Sequence, residues 1–134
     1  YTLSYTVSDA AGNTASIVRT ITVQDPPLHV YTINVTANNA SSYILNGTDR
    51  LGLVSGNDPT VTIREGDTVN FIVNASGHPF YLKTVQGTGT ANTISGVTNN
   101  GTTNGTVSWT PTQAGTYYYI CSLHGGMVGT ITVN

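Results

Sequence analysis

The sequence contains one cysteine, Cys121, which excludes an intramolecular disulfide. Charge is also scarce: Asp, Glu, Lys and Arg make up 7% of the 134 residues, with Lys+Arg 4 against Asp+Glu 6. A net charge of −2 leaves no basic patch for nucleic acid. No apolar run approaches the ~20 residues a transmembrane helix needs, and no stretch carries convincing helical periodicity. The acidic residues are scattered in turns and at strand ends, and no glycine loop is built to cradle phosphate, so hydrolytic and nucleotide chemistry have no footing. The sequence opens at Tyr1 with neither an initiator Met nor a signal peptide, which predicts a processed or excised piece of a longer, modular protein. Abundant Thr, Asn, Ser and Gly with so little charge fits an extracytoplasmic protein: periplasmic, cell-surface, secreted or part of a virion.

What the chain does have is β patterning. Thr2, Ser4, Thr6 and Ser8 interleave with Leu3, Tyr5 and Val7, the run 17–23 follows, and Asp9-Ala10-Ala11-Gly12-Asn13 supplies the turn of a hairpin. Because an isolated hairpin is marginal in water, it is expected either to belong to a neighbouring domain or to pack on the main one. Pro26-Pro27 stops a ladder and stiffens a connection. The expected organisation is therefore a hairpin over 1–24, a linker over 25–28 and one domain over 29–134. In that domain the pattern predicts strands near 30–36, 42–45, 60–64, 68–73, 80–84, 105–109, 115–121 and 128–133. Turns are marked by Asn46-Gly47, Glu65-Gly66-Asp67, Gly87–Gly89, Asn100-Gly101 and Pro111–Gly115. Short strands at regular turn spacing imply an all-β, Greek-key β-sandwich with an N-terminal hairpin extension.

The chemistry concentrates in Cys121-Ser122-Leu123-His124-Gly125-Gly126-Met127. A soft thiolate, an imidazole and a thioether, completed by a second imidazole, form the trigonal His2Cys site with a weak axial Met that suits copper electron transfer. Of the other two histidines, His29 follows the proline linker and reads as a solvated surface residue. His78 ends the segment after the apolar run 69–73, where a loop ligand can meet a later cluster at one pole of a sandwich. In Gly115–Cys121, Tyr117, Tyr119 and Cys121 share one face, with Tyr118 on the other.

Gly115-x-Tyr117-x-Tyr119-x-Cys121-x-x-His124-x-x-Met127 resembles the C-terminal signature of the cupredoxins, small blue copper proteins, and its short loop is amicyanin-like rather than plastocyanin-like. Ile63-Arg64-Glu65-Gly66-Asp67-Thr68-Val69-x-Phe71 is similar to the same family's approach to its first histidine. The resemblance spans roughly 29–134. It implies one copper ion held by His78, Cys121, His124 and Met127. Pro79 departs from the plastocyanin-like pattern, where the residue after the first His is an Asn whose N–H bonds the sulfur; proline has no N–H to give. Leu123, where plastocyanin has Pro, is expected to supply such a bond instead.

Separately, Tyr5-x-Val7-x-Asp9-x-x-Gly12-Asn13 resembles the last strands of bacterial immunoglobulin-like repeats. His78-Pro79-Phe80-Tyr81-Leu82-Lys83 is similar to a multicopper oxidase run, but Tyr81 and Lys83 stand where those enzymes bind further copper, so no oxygen-reducing cluster is expected. The implied function is a non-enzymatic one-electron carrier that docks an unidentified redox protein near His124. A different class is the alternative: a structural or adhesive module of a surface appendage, secreted array or virion, in which copper is structural, incidental or absent. A colourless protein that assembles into multimers would favour the module.

Overall fold

The computed structural model describes residues 1–134 and contains β-strands and no helix. Strands β1 (Thr2–Ser8) and β2 (Thr14–Thr20) pair antiparallel around the expected turn. Asp9 builds that turn: its carboxylate accepts the N–H groups of Ala11 and Asn13 at 2.9 Å and the Asn13 side-chain amide at 2.8 Å. The amide of Asn13 is the largest influence holding the Asp9 carboxyl below its ordinary pKa. Leu3, Tyr5 and Val7 lie opposite Arg19, Ile17 and Ala15, so one face is largely apolar and the other is rich in Thr and Ser. Both faces are exposed, and the ribbon joins neither of the other sheets. Of the two expectations for this hairpin, packing on the main domain is not what the structure has.

The remaining strands are β3 (Val30–Asn38), β4 (Ser42–Asp49), β5 (Gly52–Asn57), β6 (Val61–Ile63), β7 (Thr68–Asn74), β8 (Phe80–Lys83), β9 (Asn104–Trp109), β10 (Gly115–Cys121) and β11 (Val128–Val133). They form a five-stranded sheet in the order β5-β4-β3-β7-β9 and a four-stranded sheet in the order β6-β11-β10-β8. The pairs β3–β7 and β6–β11 are parallel, and the other neighbours are antiparallel. Alternate residues of each strand face inward. Ile33, Val35, Tyr43, Leu45, Val69, Phe71, Val73 and Val107 meet Phe80, Leu82, Tyr119, Cys121, Ile131 and Val133 in one core. Each large apolar side chain buried this way contributes roughly 1.5–3 kcal/mol of transfer free energy.

Two local expectations give way to tertiary context. Asn46-Gly47 makes no turn but lies inside β4, with Gly47 opposite Ile33. A Cβ at Gly47 would collide with the Thr32 carbonyl and stand 2.8 Å from Ile33 Cα, so this glycine permits close strand approach. The turn falls at Arg50-Leu51, where Asp49 accepts the N–H groups of Leu51 and Gly52 at 2.8 and 3.2 Å. The chain then returns as β5, an edge strand absent from the expected set.

The strand directions give the sandwich two unlike ends. At one, Asp49 also accepts the Thr62 N–H at 2.7 Å, and fully buried Asp67 accepts those of His29 and Arg64 at 2.9 and 3.0 Å. The linker arrives at this end, where Arg64 donates to the Pro26 carbonyl at 2.6 Å. The loops following β7 and β10 form the other end.

Candidate metal centre

His78 sits on the loop between β7 and β8, placed by backbone bonds rather than by a strand. Its N–H donates to Ala75 O at 2.9 Å, and the Ala75 N–H donates to Thr103 O at 2.9 Å. Gly77 takes φ +80, a left-handed turn that admits glycine without strain. Cys121 is the last residue of β10, paired with Phe80 of β8. The chain beyond it closes on itself: the Met127 N–H donates to His124 O at 3.1 Å and the Cys121 N–H to Met127 O at 3.0 Å. The Ser122 N–H donates to Pro79 O at 3.3 Å and so stitches the two loops together.

These bonds bring three of the four expected side chains to one point. His78 Nδ1 and His124 Nδ1 lie 3.2 Å apart, and Cys121 Sγ lies 3.9 and 3.5 Å from them. A point equidistant from the three atoms is about 2.1 Å from each, within the roughly 2.0–2.3 Å of transition-metal bonds to imidazole and thiolate. Cys121 is fully buried and the imidazoles are half-buried. Met127, also fully buried, belongs to the same core cluster. A soft sulfur and two imidazoles converging from three directions are a donor set for copper rather than for a hard cation. His29 is exposed, as expected.

The expected bond from Leu123 N–H to the sulfur is not formed. The hydrogen-bonding contacts of Cys121 Sγ run to the two imidazole nitrogens, and Leu123 sits on a bend with its side chain 63% exposed. Beneath the site lies an aromatic cluster: Tyr43 meets Phe80 edge-on at 5.0 Å, and Phe80 stacks on Tyr119 at 5.5 Å. Tyr119 donates its hydroxyl to Pro59 O at 2.6 Å. Burial, followed by the Asp58 charge, pushes its phenol well above the ordinary range. Gly129 makes room for that ring, which a Cβ would strike.

Residues 87–89 are more than a flexible turn. Lys83 is 1% exposed and donates from Nζ to the carbonyls of Gly87 at 2.6 Å and Gly89 at 3.3 Å. The Gly89 N–H in turn donates to Ser122 O at 2.7 Å, so a buried ammonium braces the loop that supports the ligand loop. The sequence shows Lys83 only as a charge at a strand end, and its carbonyl partners come from the fold.

The copper binding proteins of the plastocyanin/azurin family match this chain over residues 46–134. No curated protein sequence matches it. Among solved structures, rusticyanin from Thiobacillus ferrooxidans is 23% identical over 78% of this chain and 77% of its own, with a TM-score of 0.50. A rusticyanin variant is 22% identical over 78% and 77%, with a TM-score of 0.53. A purple cupredoxin from Nitrosopumilus maritimus is 22% identical over 77% of this chain and 98% of its own, with a TM-score of 0.48. For the two rusticyanin structures, at these identities, the likeness is one of fold. With the family match, the β-sandwich and the thiolate–imidazole convergence together, the chain belongs to the copper-binding plastocyanin/azurin family, and copper is its cofactor.

Proposed function

We infer that the chain is a one-electron carrier rather than an enzyme, with a single copper ion of the type 1 kind held by His78, Cys121, His124 and Met127. The observation that carries this reading is the convergence of two Nδ1 atoms and one Sγ within 4.8 Å of one another on cross-braced loops. Copper, when bound, supplies the one-electron change between two oxidation states. His78 and His124 are the equatorial nitrogens, Cys121 the strongly coupled thiolate and Met127 the weak axial contact. The Ser122–Pro79, Gly89–Ser122 and Cys121–Met127 backbone bonds hold these groups in place, so little rearranges as the charge changes.

His124 is the exit for electrons. Leu123, Gly125 and Gly126 beside it are exposed, and residues 74–79, 86–92 and 121–127 include no Asp, Glu, Lys or Arg. The partner that fits is a redox protein presenting an uncharged surface there. The linker joins the opposite end, so a carrier tethered through it keeps this face free. Residues 1–24 serve as the end of a preceding immunoglobulin-like unit, with 25–28 as the joint and 29–134 as the copper domain. The sparse charge supports an extracytoplasmic setting.

The ribbon's unpartnered apolar face, with Tyr5 57% and Ile17 69% exposed, favours a second reading, in which the chain is a structural module of a larger assembly. Reversible reduction of the copper-loaded protein at an electrode separates the two. A carrier gives a stable one-electron wave, and its Met127→Leu variant keeps the intense colour with a raised potential. A protein that takes up copper but gives no reversible wave is not a carrier.

A further inference from the structure

The His78 arm of the site lacks an anchor that the Cys121 arm has. Cys121 is fixed by its strand and by the closed turn to Met127, whereas His78 lies outside any strand and Pro79 has no N–H with which to bond. Tyr43, from β4 of the opposite sheet, fills this gap. Its hydroxyl lies 3.0 Å from His78 O and 3.1 Å from Pro79 O and donates between them, while its ring is fully buried against Phe80. Pro79 O also accepts the Ser122 N–H, so a single phenol reaches the junction of both ligand loops. The Tyr43 N–H is itself held, donating to Asp58 Oδ1 at 2.9 Å.

We propose that Tyr43 is a positioning residue of the copper site: its hydroxyl, reaching across the sandwich, locks the His78–Pro79 backbone and so fixes the imidazole opposite the Cys121 thiolate. The proposal rests on the copper reading above. Pro79 has no N–H to give, and the phenol ties the ligand segment through its carbonyls. Outer groups that orient a ligand typically change metal affinity by about 10–100-fold when removed.

The test compares Tyr43→Phe with Tyr119→Phe, each read by copper affinity and by the sulfur-to-copper absorption and electron spin resonance spectra. Both changes keep the ring and delete one buried hydroxyl, but Tyr119 donates to Pro59, away from the ligands. Tyr43→Phe is expected to weaken copper binding at least about tenfold and to shift both spectra, while Tyr119→Phe leaves affinity and spectra within error of the parent. Unchanged affinity and spectra in Tyr43→Phe overturn the proposal, as do equal losses in both variants, which would mean a purely structural role. If Tyr43→Phe does not fold, the parent protein decides by proton magnetic resonance. A hydroxyl held between two carbonyls gives a slowly exchanging resonance assignable to Tyr43, whereas rapid exchange with solvent overturns the proposal. A parent that binds no copper defeats the copper reading itself, an outcome distinct from a parent that binds copper with Tyr43→Phe indistinguishable from it.

Discussion

The two ends of the sandwich solve one problem differently. Where strands end, polar groups are left facing inward and must find partners. At the linker end the chain supplies its own: Asp49 and Asp67 between them accept the N–H groups of Leu51, Gly52, Thr62, His29 and Arg64, and Arg50 lies 4.0 Å from Asp67. At the other end the loops themselves are tied by backbone bonds, but two imidazole nitrogens and a sulfur converge on one point. One end is complete in the folded chain, and the other is completed by a cation. The linker end should therefore respond to acid and to loss of a carboxylate, and the ligand end to metal.

The largest expected effect separates the ends by mutation. Cys121→Ser removes the soft donor with little change in volume, so copper affinity should fall by orders of magnitude and the charge-transfer colour should vanish while the far-ultraviolet circular dichroism stays that of the parent. Asp67→Ala is its counterpart. Two partly buried N–H groups lose their acceptor, so denaturant titration should show a loss of about 1–3 kcal/mol with copper affinity within about twofold of the parent. If Asp67→Ala lowers copper affinity as strongly as Cys121→Ser does, the two ends are not independent.

A smaller effect sharpens the same contrast. Copper that binds only the folded state stabilises by about 2.7 kcal/mol at a hundredfold excess over Kd, on the order of 10 °C in Tm for a domain of this size. Calorimetry should give the same increment in the parent and in Asp67→Ala, and none in Cys121→Ser. The apo protein should remain folded, because Cys121 and Met127 are only two of the 20 residues of the core cluster and pack there without the metal.

The smallest effect is that of acid. Burial alone would raise the Asp67 pKa, but bonds from the His29 and Arg64 N–H groups and the nearby arginines hold it below the ordinary value. A carboxyl lowered on folding contributes stability that is fully present above its unfolded pKa of about 3.9 and is lost as pH falls through the folded value. Asp58 opposes this: burial raises its pKa, partly countered by the Tyr43 N–H, so its contribution is present in acid and is lost as pH rises through the folded value. The apo Tm should therefore fall below about pH 4 in the parent, and the fall should be shallower in Asp67→Ala. Equal slopes in the two proteins would remove Asp67 from the account.

The sequence makes the grouping of His78, Cys121 and His124 legible because copper chemistry calls for those residue types together, and one cysteine leaves no alternative thiolate. Most strands are legible for a related reason: alternation has only one period to follow, as in Phe71 and Val73 or Tyr119 and Cys121. What escapes is decided across the fold. β5 has glycines at φ +122 and +110 and buries little beyond Val54, so it carries no inward–outward pattern. Gly47 looks like a turn residue until Ile33 is placed opposite it. Lys83 turns back onto carbonyls only 4 and 6 residues on, which its charge alone does not announce, and the Tyr43 hydroxyl finds its own 35 and 36 residues away, a separation that no local pattern encodes.

The most direct test of the central claim is a titration of the purified protein with Cu(II), following visible absorption and bound metal together. A thiolate and two imidazoles closing on one ion predict an intense blue charge-transfer absorption that saturates at one copper per chain and is absent from Cys121→Ser. Copper that fails to bind stoichiometrically, or a Cys121→Ser protein that colours as strongly as the parent, would contradict the account.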